Sequence, residues 1–165
     1  MASAWVNGIL ISAALAVWPC QALAEPITPL TTSCLTAVSQ HYGVHTDVLL
    51  ALLIVEGGTV GRNSPANDNG TYDIGPFQIN SIHLPTLARM GITETQLRNN
   101  GCVNAAVAAW HLRRVVMQPS VLRTINDSDS YLRAIARYHS ATPQHNERYA
   151  RLLRRAFNRL YASSN

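Results

Sequence analysis

Val48-Leu-Leu-Ala-Leu-Leu-Ile-Val-Glu56 is the stretch that decides the fold, because an unbroken apolar run ends there in a single carboxylate. The run is apolar on every face, which predicts a short helix buried on all sides. Gly57-Gly58 marks its end, and Thr46 is the expected N-cap. An ionised glutamate is seldom buried without compensation, so a carboxyl at the end of a core helix is either paired or placed for chemistry.

A segment rich in glycine and asparagine follows, from Gly57 to Tyr72, before the chain continues as Asp73-Ile-Gly-Pro-Phe-Gln-Ile-Asn-Ser81. Asn69-Gly70 predicts a turn that closes a short hairpin ending near residue 73. Pro76 is expected in the first turn of a short helix that runs to about residue 82. The fold class is therefore a compact, mainly α domain with an irregular or β-hairpin excursion at about 57–74.

The rest of the chain is predicted to be helical from its apolar periodicity and its capping residues. Thr93 and Gln96 are expected to form a capping box, and Asp127 or Asp129 is expected to cap the helix that ends near residue 138. In the helix at 102–117 we expect Val103, Ala106, Val107 and Trp110 to face the core. In the last helix the apolar stripe contains Tyr149, Leu152, Leu153, Phe157 and Leu160. The predicted helices cover about 32–42, 46–56, 85–90, 94–99, 102–117, 128–138 and 144–161, within one domain at 25–165.

The N-terminal residues 1–24 have the pattern of a secretory signal peptide. A short apolar run precedes Ala22-Leu-Ala24, although no lysine or arginine precedes the run, and an uncleaved anchor is the alternative. Cleavage after Ala24 removes Cys20 and leaves Cys34 and Cys102, which predicts one disulfide in an exported chain. Two free thiols, or Cys20 as a lipidated residue, are the alternatives. We expect a periplasmic or secreted monomer without stable membrane insertion after cleavage.

The 13 basic residues are all arginines, and twelve of them follow residue 88, which gives a net charge of +4. This bias suits a polyanionic partner outside the cytoplasm, such as a cell-wall polymer or membrane headgroups, more than nucleic acid. A solvated helix face explains the same charges equally well. No cysteine or histidine spacing indicates a metal site, so none is predicted.

Glu56 and Asp73 are the candidate catalytic pair, because they place two carboxyls in different surroundings. Apolar neighbours should raise the pKa of Glu56, and a carboxyl that stays protonated can donate its proton to a leaving glycosidic oxygen. Asp73, beside polar loop atoms, is expected to stay ionised. The structural alternative is that Glu56 caps backbone amides and Asp73 supports a turn.

Residues 70–81, Gly-Thr-Tyr-Asp-Ile-Gly-Pro-Phe-Gln-Ile-Asn-Ser, are similar to the Gly-(Leu/Ile/Phe)-(Met/Leu)-Gln-Ile segment of the lysozyme-like superfamily. The similarity is strongest to the small lytic transglycosylases of type III and type IV secretion and conjugation systems. The segment also resembles Asp-Tyr-Gly-Ile-Leu-Gln-Ile-Asn-Ser of c-type lysozymes. Downstream, Ala136-Arg-Tyr-His-Ser-Ala-Thr-Pro143 resembles the Ala-x-Tyr-Asn-Ala-Gly motif. The resemblance covers roughly residues 32–155 and implies an α+β lysozyme-like fold.

The resemblance implies that Glu56 acts as general acid and then as base. It places Gln78 and Asn80 in the substrate cleft and makes Tyr138 the tyrosine that hydrogen-bonds near the glutamate. Two positions depart from the family pattern. Gly57 replaces a serine, whose hydroxyl Thr59 is a candidate to supply, and His139 replaces an asparagine.

The implied function is a peptidoglycan lytic transglycosylase that needs no cofactor. It would cut the β-1,4 bond between N-acetylmuramic acid and N-acetylglucosamine, leave 1,6-anhydro ends, and open the cell wall for a secretion or conjugation apparatus. One alternative is a lysozyme-type hydrolase that uses both Glu56 and Asp73. A second alternative is an assembly factor with little activity, which binds glycan or an apparatus protein through its arginine-rich C-terminal helix.

Overall fold

The computed structural model describes residues 25–162, so the predicted signal peptide at 1–24 lies outside the described residues. The prediction of a mainly α fold with a small β component is confirmed. Two short 3-10 helices cover Ser81–His83 and Ala136–Tyr138. The α-helices are α1 (Thr32–Tyr42), α2 (Thr46–Glu56), α3 (Leu84–Arg89), α4 (Glu94–Asn99), α5 (Gly101–Val116), α6 (Pro119–Leu122), α7 (Ser128–Ile135) and α8 (Pro143–Ala162), and the strands are β1 (Asp73–Ile74) and β2 (Ile79–Asn80).

Helix α2 ends where the sequence predicts but begins with a different cap. Glu56 is its last residue, and Gly57 follows at φ 61° with its N–H donating to the carbonyl of Leu53. The predicted Thr46 cap is wrong, because Thr46 is already the first helical residue. The cap is His45, whose Nδ1 accepts from the backbone N–H of Asp47 at 3.2 Å.

The prediction that α2 is buried on all sides is wrong. Leu49, Ala51 and Leu52 have no exposed surface, whereas 40% of the surface of Ile54 is exposed to solvent. Helices α1, α5 and α8 all pack against α2, and within residues 25–162 the side that carries Ile54 is open to solvent. The carboxyl end of α2 therefore lies at the boundary between core and solvent, where a side chain can reach a ligand.

Helix α5 packs against α1, α4, α7 and the second 3-10 helix. Its predicted inward face is largely confirmed: Val107 is buried in the core, and Ala106 and Trp110 are partly buried and pack against it. Val103 is partly buried and is not among the residues that pack against the core. The residues without exposed surface are Asn104, Ala105, Ala108 and Ala109. A polar residue holds the middle of the buried face, which a count of apolar residues does not detect.

The predicted disulfide is confirmed. Cys34 on α1 and Cys102 on α5 are joined, with their Cα atoms 5.7 Å apart. The bridge closes a loop with a sequence separation of 68 residues and contains the whole of α2 and the sheet. The bridge thus links α1 covalently to the N-terminal end of α5.

The β component is a two-stranded antiparallel sheet in which Asp73 pairs with Asn80 and Ile74 with Ile79. The predicted helix from Pro76 to residue 82 is wrong, because residues 75–78 form the tight turn between these strands. The loop at 57–72 is irregular, as expected. Gly70 donates to the carbonyl of Asn67 in the predicted turn, but the two arms of this loop meet in a single bridge, Asn63 with Ile74.

The capping residues of the later helices match the sequence in most places. Thr93 and Gln96 form the predicted capping box of α4, and Asp127, not Asp129, caps α7. Helix α7 ends at Ile135 and the chain continues to Tyr138 as a 3-10 helix, whereas one continuous helix was expected. Within residues 25–162 no single helix is long and apolar enough to cross a membrane; by length and composition alone, α1 and α2 pass that test as a pair bent by 120°.

Candidate functional site

A cleft of about 580 Å³ lies between the end of α2, the sheet and the second 3-10 helix. Thr59 is not among the residues that line it; this side chain is exposed in the loop just after α2. The cleft brings together six of the seven site residues expected from the sequence: Glu56, Asp73, Gln78, Asn80, Tyr138 and His139.

Glu56 is the electrostatic centre of this cleft. Burial at the end of α2 is the main cause that raises the pKa of its carboxyl from 4.5 to about 7, and the negative charge of Asp73 raises it further. A hydrogen bond from the Tyr149 hydroxyl to Oε1 of Glu56 opposes part of this rise, because it stabilises the carboxylate. At neutral pH the Glu56 carboxyl is therefore protonated in a large fraction of the molecules. In the remaining molecules the Tyr149 hydroxyl donates a hydrogen bond to the carboxylate.

Tyr149 is a site residue that the sequence analysis missed. It lies on the buried face of α8, and the analysis assigned it only to the apolar stripe of that helix. Burial, and next the charge of Glu56, raise the pKa of Tyr149 far above its ordinary value, so the phenol remains a hydrogen-bond donor. A tyrosine in an apolar stripe carries a hydroxyl that needs a partner, and this is the one signal that points to such a contact.

Tyr138 lies against the site in a different way from Tyr149. Its hydroxyl donates to the carbonyl oxygen of Phe77 at 2.7 Å, and burial together with the nearby charges of Glu56 and Asp73 raises its pKa. Tyr138 therefore holds the turn at 75–78 in place beside the glutamate, while the direct hydrogen bond to Glu56 comes from Tyr149.

The turn at 75–78 is held tightly against the end of α2. Gln78 has a φ of 48°, in the left-handed region that side chains seldom adopt, and its Nε2 donates to the carbonyl of Gly75 at 2.8 Å. The N–H of Gly58 donates to the carbonyl of Pro76 at 3.2 Å. A Cβ atom at residue 58 would stand 2.1 Å from the Gly75 oxygen and 2.5 Å from Nε2 of Gln78, so only glycine fits there.

Asn104 secures the same turn from the other side and was also missed. Its Oδ1 accepts from the backbone N–H of Phe77 at 2.9 Å. Its Nδ2 donates to the carbonyls of Ile74 at 2.9 Å and Leu97 at 3.0 Å. One fully buried amide thus makes three hydrogen bonds to the backbone around this turn. An asparagine in the middle of an apolar helix face is the only trace of this role in the sequence.

Asp73 and Asn80 face each other across the sheet and both line the cleft. Nδ2 of Asn80 donates to Oδ1 of Asp73 at 2.8 Å, and the backbone N–H of Asp73 donates to the Ser64 hydroxyl at 2.9 Å. Asn80 therefore fixes the orientation of the Asp73 carboxyl. Because the amide of Asn80 is neutral, it does not cancel a negative charge on that carboxyl.

His139 lies on the other side of Glu56, where its ring stacks on that of Tyr149 at a centroid distance of 4.9 Å. Desolvation and the nearby His145 lower its pKa. His139 and Glu56 also line a second cavity of about 330 Å³, which contains His145 and Arg148. Glu56 and His139 thus line both cavities.

His83 and His111 form a pair in the cleft wall with ring centroids 4.7 Å apart. Burial lowers the pKa of both rings, so neither carries charge at neutral pH. In the part of the chain that the structure covers, 25–162, no group of three or more histidine, cysteine or acidic residues is arranged to hold a metal ion.

Several curated proteins of enteric bacteria are similar to this chain in sequence. The invasion protein IagB of Salmonella typhimurium is 31% identical over 80 residues, which cover 46% of this chain and 48% of that protein. Protein IpgF of Shigella flexneri is 30% identical over 84 residues, 51% and 55% of the two chains. A peptidoglycan-binding-like protein of Escherichia coli O157:H7 is 26% identical over 107 residues, 58% and 64%. The matches span about half the length of the first two relatives. No family model matches the chain.

Proposed function

We propose that this chain is a lysozyme-like lytic transglycosylase that cuts the β-1,4 bond between N-acetylmuramic acid and N-acetylglucosamine in peptidoglycan. The observation that carries the proposal is the Glu56 carboxyl, which faces a long cleft with a pKa of about 7 and an ionisable neighbour, Asp73. The similarity to a peptidoglycan-binding-like protein supports this substrate. The disulfide supports a location outside the cytoplasm, because such bonds persist in oxidising compartments.

In the first step protonated Glu56 gives its proton to the glycosidic oxygen, and the bond from that oxygen to C1 of muramic acid breaks. N-acetylglucosamine leaves with a free hydroxyl, and positive charge develops on the muramic acid ring. The Tyr149 hydroxyl stabilises the carboxylate that Glu56 becomes, because it already donates to Oε1. Asp73, held by Asn80, stabilises the positive charge across the cleft.

In the second step the Glu56 carboxylate takes the proton from the C6 hydroxyl of the same muramic acid, and the C6 oxygen bonds to C1. The product is a 1,6-anhydro ring, no water is consumed, and Glu56 is protonated again for the next cycle. Gln78 and Asn80 are proposed to contact the sugars from the turn and the sheet, and His139 from the opposite wall. Thr59 is exposed and does not line the cleft, so the proposal gives it no role in place of the serine hydroxyl that Gly57 lacks.

Hydrolysis is the second candidate, because Asp73 lines the same cleft as Glu56. In that reaction water replaces the C6 hydroxyl, and Asp73 acts as nucleophile or as charge stabiliser. The two reactions give products that differ by one water, so their masses separate them.

The test is digestion of purified sacculi with the protein, followed by mass spectrometry of the released fragments. We expect fragments lighter by one water than those of a hydrolase, loss of release in Glu56→Gln, and residual release in Asp73→Asn. Asp129→Asn is the matched control, because this exposed carboxylate pairs with Arg154 away from the cleft. If the fragments had the mass of hydrolysis products and Asp73→Asn were inactive, the protein would be a hydrolase and not a transglycosylase. If the wild-type protein bound sacculi but released no more fragments than Glu56→Gln, a glycan-binding assembly factor would replace the enzyme.

We propose further that the activity opens the cell wall for a secretion or conjugation apparatus. The similarity to an invasion protein supports this role, and the arginine-rich face of α8 is a candidate surface for an apparatus protein. Complementation of a deletion strain with Glu56→Gln tests it: restored secretion or conjugation would show that cleavage is not what the apparatus needs.

A further inference from the structure

A cavity of about 620 Å³ adjoins the catalytic cleft and has no part in the steps described above. It lies between α6, α7 and the start of α8, and it shares Arg137 and Ala141 with the cleft wall. A ligand bound beside Glu56 can therefore extend past these two residues into this cavity, which we call the side cavity.

Arg137 has an unsatisfied donor at this junction. It lies in the 3-10 helix between the buried residues Ala136 and Tyr138, and its Nε is buried without a hydrogen-bond partner within residues 25–162. A buried polar group without a partner is unfavourable, and such groups in native proteins are generally satisfied by protein, water or ligand. The guanidinium keeps its charge at every working pH. The group that fits this position is an anionic acceptor.

Arg133, from the last turn of α7, lines the same cavity as a second, exposed cation. The acidic residue on the cavity wall is Glu147, which lies 3.6 Å from Arg151 on α8 and so has a cation of its own. Asp127, near Arg133, is occupied as the cap of α7 by Ser130. The side cavity therefore keeps an excess of positive charge.

We propose that the side cavity binds a carboxylate of the peptide carried by muramic acid, with Arg137 and Arg133 as its ligands. This inference rests on the proposed function, because it takes the substrate to be peptidoglycan. The peptide is attached to the lactyl ether of the muramic acid ring, so a ring bound at Glu56 carries its peptide beside the cleft. Free carboxylates on that peptide match the planar guanidinium fork, which binds them in a bidentate manner.

The test compares glycan strands that keep their peptides with strands from which an amidase has removed them. The wild-type protein is expected to show a higher kcat/KM on the strands with peptides. Arg133→Gln and Arg137→Gln should each lower kcat/KM on these strands by about tenfold, the cost of about one charge-assisted hydrogen bond, and affect the bare strands less. Arg155→Gln removes an equal charge from α8 outside both cavities and should keep the wild-type preference.

Equal rates of the wild-type protein on both strands, or variants that slow both equally, would overturn the side-cavity proposal and leave the transglycosylase intact. If the wild-type protein cut neither strand, the proposed function would fail instead. In that case titration with a soluble muramyl peptide still decides the binding question. Weaker binding of its peptide-amidated form, and of Arg133→Gln, supports the site, whereas equal affinities refute it. Arg133 is exposed, so its variant carries the test even if Arg137→Gln does not fold.

Discussion

Replacing Glu56 by glutamine should stabilise the protein at alkaline pH and leave its stability nearly unchanged in acid. The pKa of this carboxyl rises from 4.5 to about 7 on folding, mainly through burial. Below pH 4.5 both the folded and the unfolded chain hold the proton, so the carboxyl causes no pH dependence there. Between 4.5 and 7 the unfolded chain releases the proton first, and the free energy of unfolding falls as the pH rises.

The size of the effect follows from that change of pKa. Each pH unit between the two values corresponds to about 1.4 kcal/mol, so the wild-type protein should lose about 3 kcal/mol by pH 8. Glutamine has no proton to release, and its side-chain oxygen can still accept from the Tyr149 hydroxyl. The advantage of Glu56→Gln over the wild-type protein should therefore grow by about 3 kcal/mol from pH 4 to pH 8.

Urea unfolding followed by circular dichroism, with the disulfide intact, measures this advantage at both pH values. Other titrating groups are present in both proteins, so their contributions cancel in the difference. Glu147→Gln is the control, because this carboxylate is exposed on α8 and its replacement should give a difference that hardly changes with pH. A constant difference for Glu56→Gln, or one that shrinks as the pH rises, would show that the carboxyl is not held protonated by burial.

Three further changes test other contacts of the site and fold. Tyr149→Phe removes the hydrogen bond that lowers the pKa of Glu56, so the alkaline limb of kcat/KM on sacculi should move up by about one pH unit; a downward shift would contradict this. Asn104→Ala removes three buried hydrogen bonds to the backbone and should cost about 3 kcal/mol in urea unfolding; a cost below about 1 kcal/mol would mean that water replaces the amide. Replacing both Cys34 and Cys102 by alanine should cost up to about 4 kcal/mol through loop entropy, whereas unchanged unfolding would mean that the bridge constrains little.

The parts of the site that the sequence predicts are those encoded by neighbouring residues. The position of Glu56 follows from an apolar run and two glycines that adjoin it, because helix ends are determined locally. The capping box of α4 is predicted for the same reason. Local patterns of this kind also gave the mainly α fold and the pairing of two remaining cysteines.

The parts that were missed depend on contacts between distant segments. The helix predicted from Pro76 does not form, because Asn104, 27 residues away, binds the N–H of Phe77 and Gln78 takes a left-handed conformation. Tyr149 meets Glu56 across 93 residues of chain, so no local pattern distinguishes it from the other apolar residues of α8. Polar residues in buried helix faces are the positions where such contacts were overlooked.

The contact between Tyr149 and Glu56 also sets the order in which the site can appear during synthesis. Glu56 and the turn at 75–78 emerge early from the ribosome, but the hydroxyl that binds the carboxylate belongs to the last helix of the described chain. Until α8 has been made and packed on α2, the carboxyl is open to water and its pKa is not raised by this burial. A growing chain, or one threaded unfolded through a membrane pore, therefore has no assembled acid. It acquires one only after α8 has reached the compartment where the chain folds.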